Sequence, residues 1–197
     1  MDVPAIMAQT RVKITKTIES FENKAYKVVS GLIADKGYAE LSMKMIAKEM
    51  DVAVEILYNY YKNKEDLTTS VIYISWVETF RKLDDILEGP KSSKEKASIF
   101  LSLLYDEMEE RRGLDNEMLN SSFFKNEKLI QVQTEFRKRW EKLILEWGEN
   151  KGINFSEDYT NRVINTMVST ITNSLNEFEE EKEANKIFIE DLLYKLL

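Results

Sequence analysis

The segment from Ser42 to Leu67, SMKMIAKEMDVAVEILYNYYKNKEDL, restricts the fold of this chain more than any other part of it. Apolar residues recur at helical spacing over residues 43–50 and again, in a new register, over residues 52–60. Two helices of about two turns, joined by three or four residues, have the proportions of a helix-turn-helix motif. Ser42 can cap the first of them, and Asn63 with Asp66 predicts the start of a longer helix. In such a motif the second helix enters the major groove of duplex DNA, its N-terminal residues nearest the bases.

Around this motif the chain resembles the TetR family of transcriptional repressors, over roughly residues 20–70. The matching residues are Leu32, Ile33, Lys36, Gly37, Tyr38, Ser42, Ile46, Ala47, Val52, Leu57, Tyr58, Tyr60, Tyr61, Lys64, Glu65 and Leu67. The resemblance implies an all-α fold of about nine helices in two domains. Residues 1–67 would form a three-helix helix-turn-helix DNA-binding domain, and residues 68–197 a helical effector-binding and dimerisation domain.

The resemblance also implies which residues lie at the DNA, mostly against phosphates or next to the bases. They are Ser42, Lys44, Ala53, Val54, Glu55, Ile56, Tyr58, Asn59 and Lys64. Each lysine of this surface, Lys48 and Lys62 included, can equally be a solvated surface charge. Tyr60 and Tyr61 are expected to pack in the core beneath the first helix.

Four residues of the motif depart from the family pattern, and two of them, Glu55 and Ile56, stand where the family favours small or hydroxyl residues. Asp51 stands where the turn usually has glycine; because aspartate tolerates a left-handed backbone, we expect the turn to be intact. Ala53 replaces a capping serine or threonine, which costs about 1 kcal/mol and removes a phosphate ligand. Glu55 faces a polyanion unless it accepts a hydrogen bond from a cytosine amino group.

Composition excludes several functions. The chain has no cysteine and no histidine, which excludes disulfides, thiolate metal sites and imidazole catalysis, so we expect no catalytic residues, metal or cofactor. The net charge is −7, yet residues 1–67 hold 10 basic and 10 acidic side chains, so the excess acidity lies in residues 68–197. No apolar run approaches the roughly 18 residues of a membrane span, and no signal peptide begins the chain, which predicts a cytoplasmic protein without membrane contact.

Breaks after residue 67 mark further helices. Gly89 and Pro90 end the fourth helix, and Ser92 with Glu95 forms a capping box for the fifth. A short helix is expected near residues 117–121, a long one from about 126 to 150, and one beginning after a cap at Ser156. A last helix begins at about residue 185.

Two surfaces of the C-terminal half are predicted from apolar spacing together with the resemblance. A seam at residue spacings of 3 and 4 suits helix–helix packing, either between two subunits or inside one subunit. The predicted dimer residues are Ile164, Val168, Ile171, Leu175, Phe178, Phe188, Leu192 and Leu193. An effector pocket, or the plain core that aromatic and methionine side chains more often form, is predicted at Trp76, Phe80, Leu104, Tyr105, Met108, Phe123, Phe136, Trp140 and Met167.

The sequence thus predicts a homodimeric repressor that binds a pseudo-palindromic double-stranded operator and is released by a small, mostly apolar effector. The alternative is a TetR-like protein-interaction module whose operator binding is weakened or lost, as Ala53 and Glu55 suggest. A helical enzyme using glutamate and lysine is a third possibility, against which the missing histidine argues.

Overall fold

The computed structural model describes the backbone of residues 3–111 and 126–197, and side chains from residue 20 within those ranges. Over that part of the chain the structure is all-helical, as predicted, and it has eight α-helices and no strand. The helices are α1 (Val3–Lys36), α2 (Met43–Glu49), α3 (Val54–Tyr60), α4 (Lys64–Glu88), α5 (Ser93–Glu110), α6 (Glu127–Lys151), α7 (Glu157–Glu177) and α8 (Lys182–Leu196). The helix predicted near residues 117–121 and the side chain of Phe123 lie outside the described residues.

Local capping chemistry explains where most helices begin. Asn63 accepts a hydrogen bond from the N–H of Asp66 at 2.8 Å, and Ser156 accepts one from Tyr159 at 3.2 Å. Ser92 and Glu95 form the reciprocal capping box expected from the sequence. These side chains satisfy N–H groups that a helix leaves unpaired in its first turn, so the predicted starts of α4, α5 and α7 are confirmed.

The end of α6 requires glycine at two positions. Gly152 has φ 67°, a left-handed conformation, and ends the helix. The N–H of Ile153 then donates to the carbonyl of Gly148 at 2.8 Å. A Cβ on Gly148 would lie 2.5 Å from the carbonyl oxygen of Ile153, so only glycine allows the turn to fold back this closely.

The N-terminal helices pack around a small apolar core. Val29 of α1, Ile46 of α2 and Leu57 of α3 are fully buried, and Leu67 at the start of α4 closes this core. Since α4 continues without a break to Glu88, the same helix leads into the C-terminal bundle.

The C-terminal bundle is built around α4, α5 and α6, with α7 and α8 packed against it. Trp140 of α6 is fully buried and meets Phe100 of α5 edge to face at 5.1 Å. Lys96 is buried among these helices, where its ammonium donates to the carbonyl of Leu87 at 2.8 Å and pairs with Glu146 at 2.7 Å. None of the helices described is long and apolar enough to cross a membrane.

Candidate nucleic-acid interface and effector cavity

The turn between α2 and α3 is intact. Asp51 has φ 51°, the left-handed conformation expected for it. The N–H of Val52 donates to the carbonyl of Ala47 at 3.0 Å, and that of Asp51 to Lys48 at 3.1 Å. These two bonds form a Schellman motif with aspartate in the place usually taken by glycine, so the prediction for the turn is confirmed.

Helix α3 is anchored by the side chains that it directs into the core. Leu57 is fully buried and Val54 half-buried. Tyr61, which follows the helix, is also buried as predicted, and burial raises the pKa of its phenol to about 12. Tyr60 differs from the prediction, since its side chain is 48% exposed and stacks on the ring of Phe21 at a centroid distance of 4.5 Å.

The outer side of α3 is exposed. We call Ala53, Glu55, Ile56, Tyr58 and Asn59 the reading face, because all five are exposed. The side chain of Ile56 is 39% exposed and that of Tyr58 is 55% exposed. Ala53 caps the helix without any side-chain hydrogen bond, as its chemistry requires.

The polar residues predicted at the DNA divide into two groups. Lys44 and Lys48 on α2 and Lys62 just after α3 are exposed. Ser42 caps α2 by accepting from the N–H of Met45 at 3.3 Å, so its hydroxyl already has a partner within the protein.

Lys64, the remaining lysine predicted at the DNA, is not a free surface charge. Its ammonium donates to the carbonyl of Tyr38 at 3.0 Å and lies 4.2 Å from the centre of the Tyr38 ring. The side chain therefore ties the connection between α1 and α2 to the first turn of α4. This structural role was not predicted.

A cavity of about 570 Å³ lies among α4, α5, α6 and α7. Its lining in the described part of the chain comprises Trp76, Met108, Val132, Gln133, Thr134, Phe136, Arg137, Ile164, Asn165, Val168, Ser169 and Thr172. One wall is aromatic and aliphatic, while α7 contributes amide and hydroxyl groups. Such a mixture suits a ligand with an apolar body and a few polar atoms.

Of the predicted pocket residues whose side chains the structure describes, three line the cavity and five do not. Trp76, Met108 and Phe136 line the cavity. Phe80, Leu104, Tyr105, Trp140 and Met167 do not line it and are instead buried between helices as plain core. Spacing identifies the inward face of a helix but not whether a cavity or a neighbouring helix covers it, so these residues could not be separated by sequence.

A buried ionic cluster supports the cavity wall at Trp76. The Arg111 guanidinium is 3% exposed, lies 4.3 Å from the Trp76 ring and pairs with Glu107 at 2.8 Å. Glu107 also accepts from the Thr79 hydroxyl at 2.7 Å and from Lys82 at 2.6 Å. Burial alone would raise the pKa of Glu107, but these donors outweigh it and hold the pKa below its ordinary value.

The structure divides the eight predicted dimer residues into two sets of four. Ile164, Ile171, Leu175 and Leu193 are buried within the single chain and leave no surface for a partner. The apolar stripe of α7 faces α5, α6 and α8 of its own chain, which was the alternative left open by the sequence.

The other four dimer residues lie elsewhere. Val168 is half-buried and lines the cavity, and Leu192 is half-buried in α8. Phe178 and Phe188 are more than half exposed, and Ile187 beside them is 64% exposed although the sequence did not single it out.

Lys128 connects the cavity helices to the N-terminal domain. Its ammonium, at the start of α6, donates to the Ser70 hydroxyl at 2.6 Å and lies 3.5 Å from the Asp66 carboxylate. The first turn of α4 is therefore held by Lys128 on one side and by its own Lys64 on the other.

Residues 30–71 match the family model for bacterial regulatory proteins of the tetR family. The fatty acid metabolism regulator protein of Bacillus subtilis (strain 168) is 30% identical over 71 residues, which are 36% of this chain and 37% of that protein. The chain thus matches little more than a third of that relative's length.

Solved structures extend the similarity in fold to most of the chain. The transcriptional regulator FadR from Bacillus subtilis, in complex with stearoyl-CoA, has a TM-score of 0.75 at 18% identity, covering 88% of this chain and 98% of FadR. A TetR/AcrR family regulator from Thermobifida fusca has a TM-score of 0.69 at 20% identity, covering 88% of this chain and 96% of that one. The two-part fold expected from the sequence is that of these regulators.

Proposed function

We propose that this protein is a ligand-responsive transcriptional repressor of the tetR family of bacterial regulatory proteins, and that it binds a pseudo-palindromic operator as a homodimer. The observation that carries the proposal is the intact turn at Asp51. After this turn, α3 lies with Leu57 buried in the core and with the reading face exposed. A rigid helix with a free outer side is what insertion into a major groove requires.

The DNA-binding part is tested with a randomised pool of duplex DNA at two salt concentrations. Neutralisation of phosphates by Lys44, Lys48 and Lys62 releases counterions, so affinity should fall steeply as salt rises. A double variant Lys44→Gln, Lys48→Gln should reduce the salt slope by about two units, whereas Lys142→Gln, on α6, should leave it unchanged. Absence of salt-sensitive binding at low ionic strength would refute the repressor function.

The proposed dimer uses the exposed end of α7 and the outer side of α8. Phe178, Ile187 and Phe188 expose large apolar side chains there, and an exposed apolar patch commonly marks an interface. Phe188→Glu should yield monomers in sedimentation analysis, and Leu145→Glu, at another exposed apolar position, on α6, should not. A dimeric Phe188→Glu protein would place the interface elsewhere.

The proposed effector is a mostly apolar molecule held in the cavity. Trp76, Met108 and Phe136 supply its apolar wall. Because the structurally similar FadR is in complex with stearoyl-CoA, long-chain acyl-CoA is the first class to test.

Binding of such a ligand should quench the fluorescence of Trp76 and weaken operator binding, to the extent that the ligand prefers the DNA-free state. Val132→Trp, which fills the cavity from α6, should abolish both effects and leave DNA binding intact. Operator release that persists in Val132→Trp would place the effector outside this cavity.

One observation favours a second function. The reading face carries no basic side chain and one carboxylate, Glu55, and the helix start at Ala53 lacks a side-chain cap. A protein-interaction module that has lost operator binding would have the same fold. It would retain the dimer and show no salt-sensitive DNA binding in the pool experiment.

A further inference from the structure

The chemistry of the reading face limits which bases it can recognise. Ala53, Glu55 and Ile56 are the exposed residues at the start of α3, and none of their side chains can donate a hydrogen bond. Guanine presents two acceptors in the major groove and is read by donors such as arginine or lysine. These three positions therefore cannot read guanine through their side chains.

Ile56 offers the opposite chemistry. Its exposed side chain and that of Tyr60 lie four residues apart, on the same side of α3, and Phe21 stacks on the Tyr60 ring at 4.5 Å. The resulting apolar column is braced by α1 and loses little freedom on binding. The C5 methyl of thymine is the apolar group that bases present in the major groove.

Glu55 is the remaining polar group at the start of the helix. It is exposed and has no hydrogen-bond or ion-pair partner among the described residues. An ionised carboxylate only accepts hydrogen bonds, and the exocyclic amino group of cytosine is the donor it is known to pair with in the major groove. Without such a donor the carboxylate would be repelled by the phosphates.

We propose that α3 reads its half-site by apolar contact of Ile56 with thymine methyl groups and by a hydrogen bond from a cytosine amino group to Glu55. The inference rests on the proposed function and adds the base preference of the same surface. Each half-site should accordingly contain thymine at the Ile56 position and cytosine next to it on one of the strands.

The experiment begins with selection of sites from a randomised duplex pool by the full-length protein. Failure to enrich any site, with no salt-sensitive binding, would refute the proposed function itself. If a site is enriched, thymines of each half-site are replaced one at a time by deoxyuridine, which removes only the C5 methyl.

At the thymine that contacts Ile56, deoxyuridine should weaken binding by about fourfold, the worth of one buried methyl group. Ile56→Ala should bind thymine and deoxyuridine equally, whereas Val77→Ala, an exposed truncation on α4, should discriminate like the parent. Equal loss in the parent and in Ile56→Ala, or no loss at any thymine in the parent, would overturn the assignment of Ile56.

Glu55→Gln tests the second contact. Since glutamine can pair with adenine through N6 and N7, selection with this variant should replace cytosine by adenine at one position and leave the others unchanged. If the variant instead tightens binding to every sequence alike, Glu55 merely repels phosphate and the cytosine contact is wrong.

Discussion

Lys64 offers the sharpest separation between a structural and a DNA-contacting role. The perturbation is Lys64→Met, which keeps most of the apolar stem and removes the ammonium that bonds the Tyr38 carbonyl and covers its ring. The matched control is Lys62→Met, an exposed lysine two residues earlier whose bond to Asp66 comes from its backbone N–H and survives the change.

The expected loss follows from the two contacts. A hydrogen bond involving a charged group contributes about 1.5–3 kcal/mol, and a cation–π contact at an exposed site about 0.5–1 kcal/mol. Because Lys64 is half-exposed and the freed carbonyl can bind water, the lower end applies, about 2 kcal/mol in all. For a chain of this size that is a fall in Tm of about 4–8 °C.

Urea denaturation followed by circular dichroism measures the effect. Lys62→Met should remain within about 0.5 kcal/mol of the parent, as surface changes usually do. If Lys64→Met is as stable as Lys62→Met, the contact of Lys64 with Tyr38 contributes nothing to the free energy of unfolding. DNA binding by the same proteins shows whether Lys64 also contacts a phosphate. If it does, Lys64→Met should lower the salt slope of DNA binding by about one unit.

Three further predictions concern stability. Gly148→Ala should lower the free energy of unfolding by about 1–3 kcal/mol in urea denaturation, because its Cβ would collide with the Ile153 carbonyl. Gly31→Ala, at a helical position with open space around it, should raise the free energy of unfolding by about 0.5–1 kcal/mol. Glu107→Gln should lower the free energy of unfolding by about 1–3 kcal/mol at pH 7. Because the folded pKa of Glu107 is lowered, the stability that its carboxylate contributes is present above the ordinary pKa of 4.5 and is lost as the pH falls through the folded pKa. In thermal melts, the Tm of the variant should therefore fall less steeply with decreasing pH than that of the parent. Ala53→Ser should supply the missing cap and raise the free energy of unfolding by about 1 kcal/mol; no gain would mean that the start of α3 is held by packing alone.

Local chemistry made several features predictable from sequence. The capping residues Asn63, Ser92 and Ser156 act within three residues of themselves, and the structure has them as expected. The left-handed Asp51 follows from the short polar side chain of aspartate in a two-helix turn. Each of these depends on neighbours in the chain rather than on distant contacts.

Features that depend on distant contacts could not be predicted in the same way. Lys64 finds its acceptor 26 residues earlier in the chain, a contact that no periodicity records. Ile164 and Ile171 carry the spacing of a helix–helix seam, but spacing cannot say whether the partner helix belongs to the same chain. The polar cavity wall, with Gln133 and Asn165 among its residues, was not predicted, because the pocket was predicted from aromatic and methionine side chains alone.

The double attachment of the first turn of α4 has a consequence for how an effector could act. Lys64 and Lys128 hold that turn to the N-terminal helices and to α6, and α4 runs from it to Trp76, about 18 Å away, with no glycine or proline to bend at. A change at the cavity would therefore rotate α1, α2 and α3 together as one rigid body. We expect an effector to alter the spacing between half-sites that the proposed dimer tolerates, while each helix-turn-helix domain keeps its preference for bases.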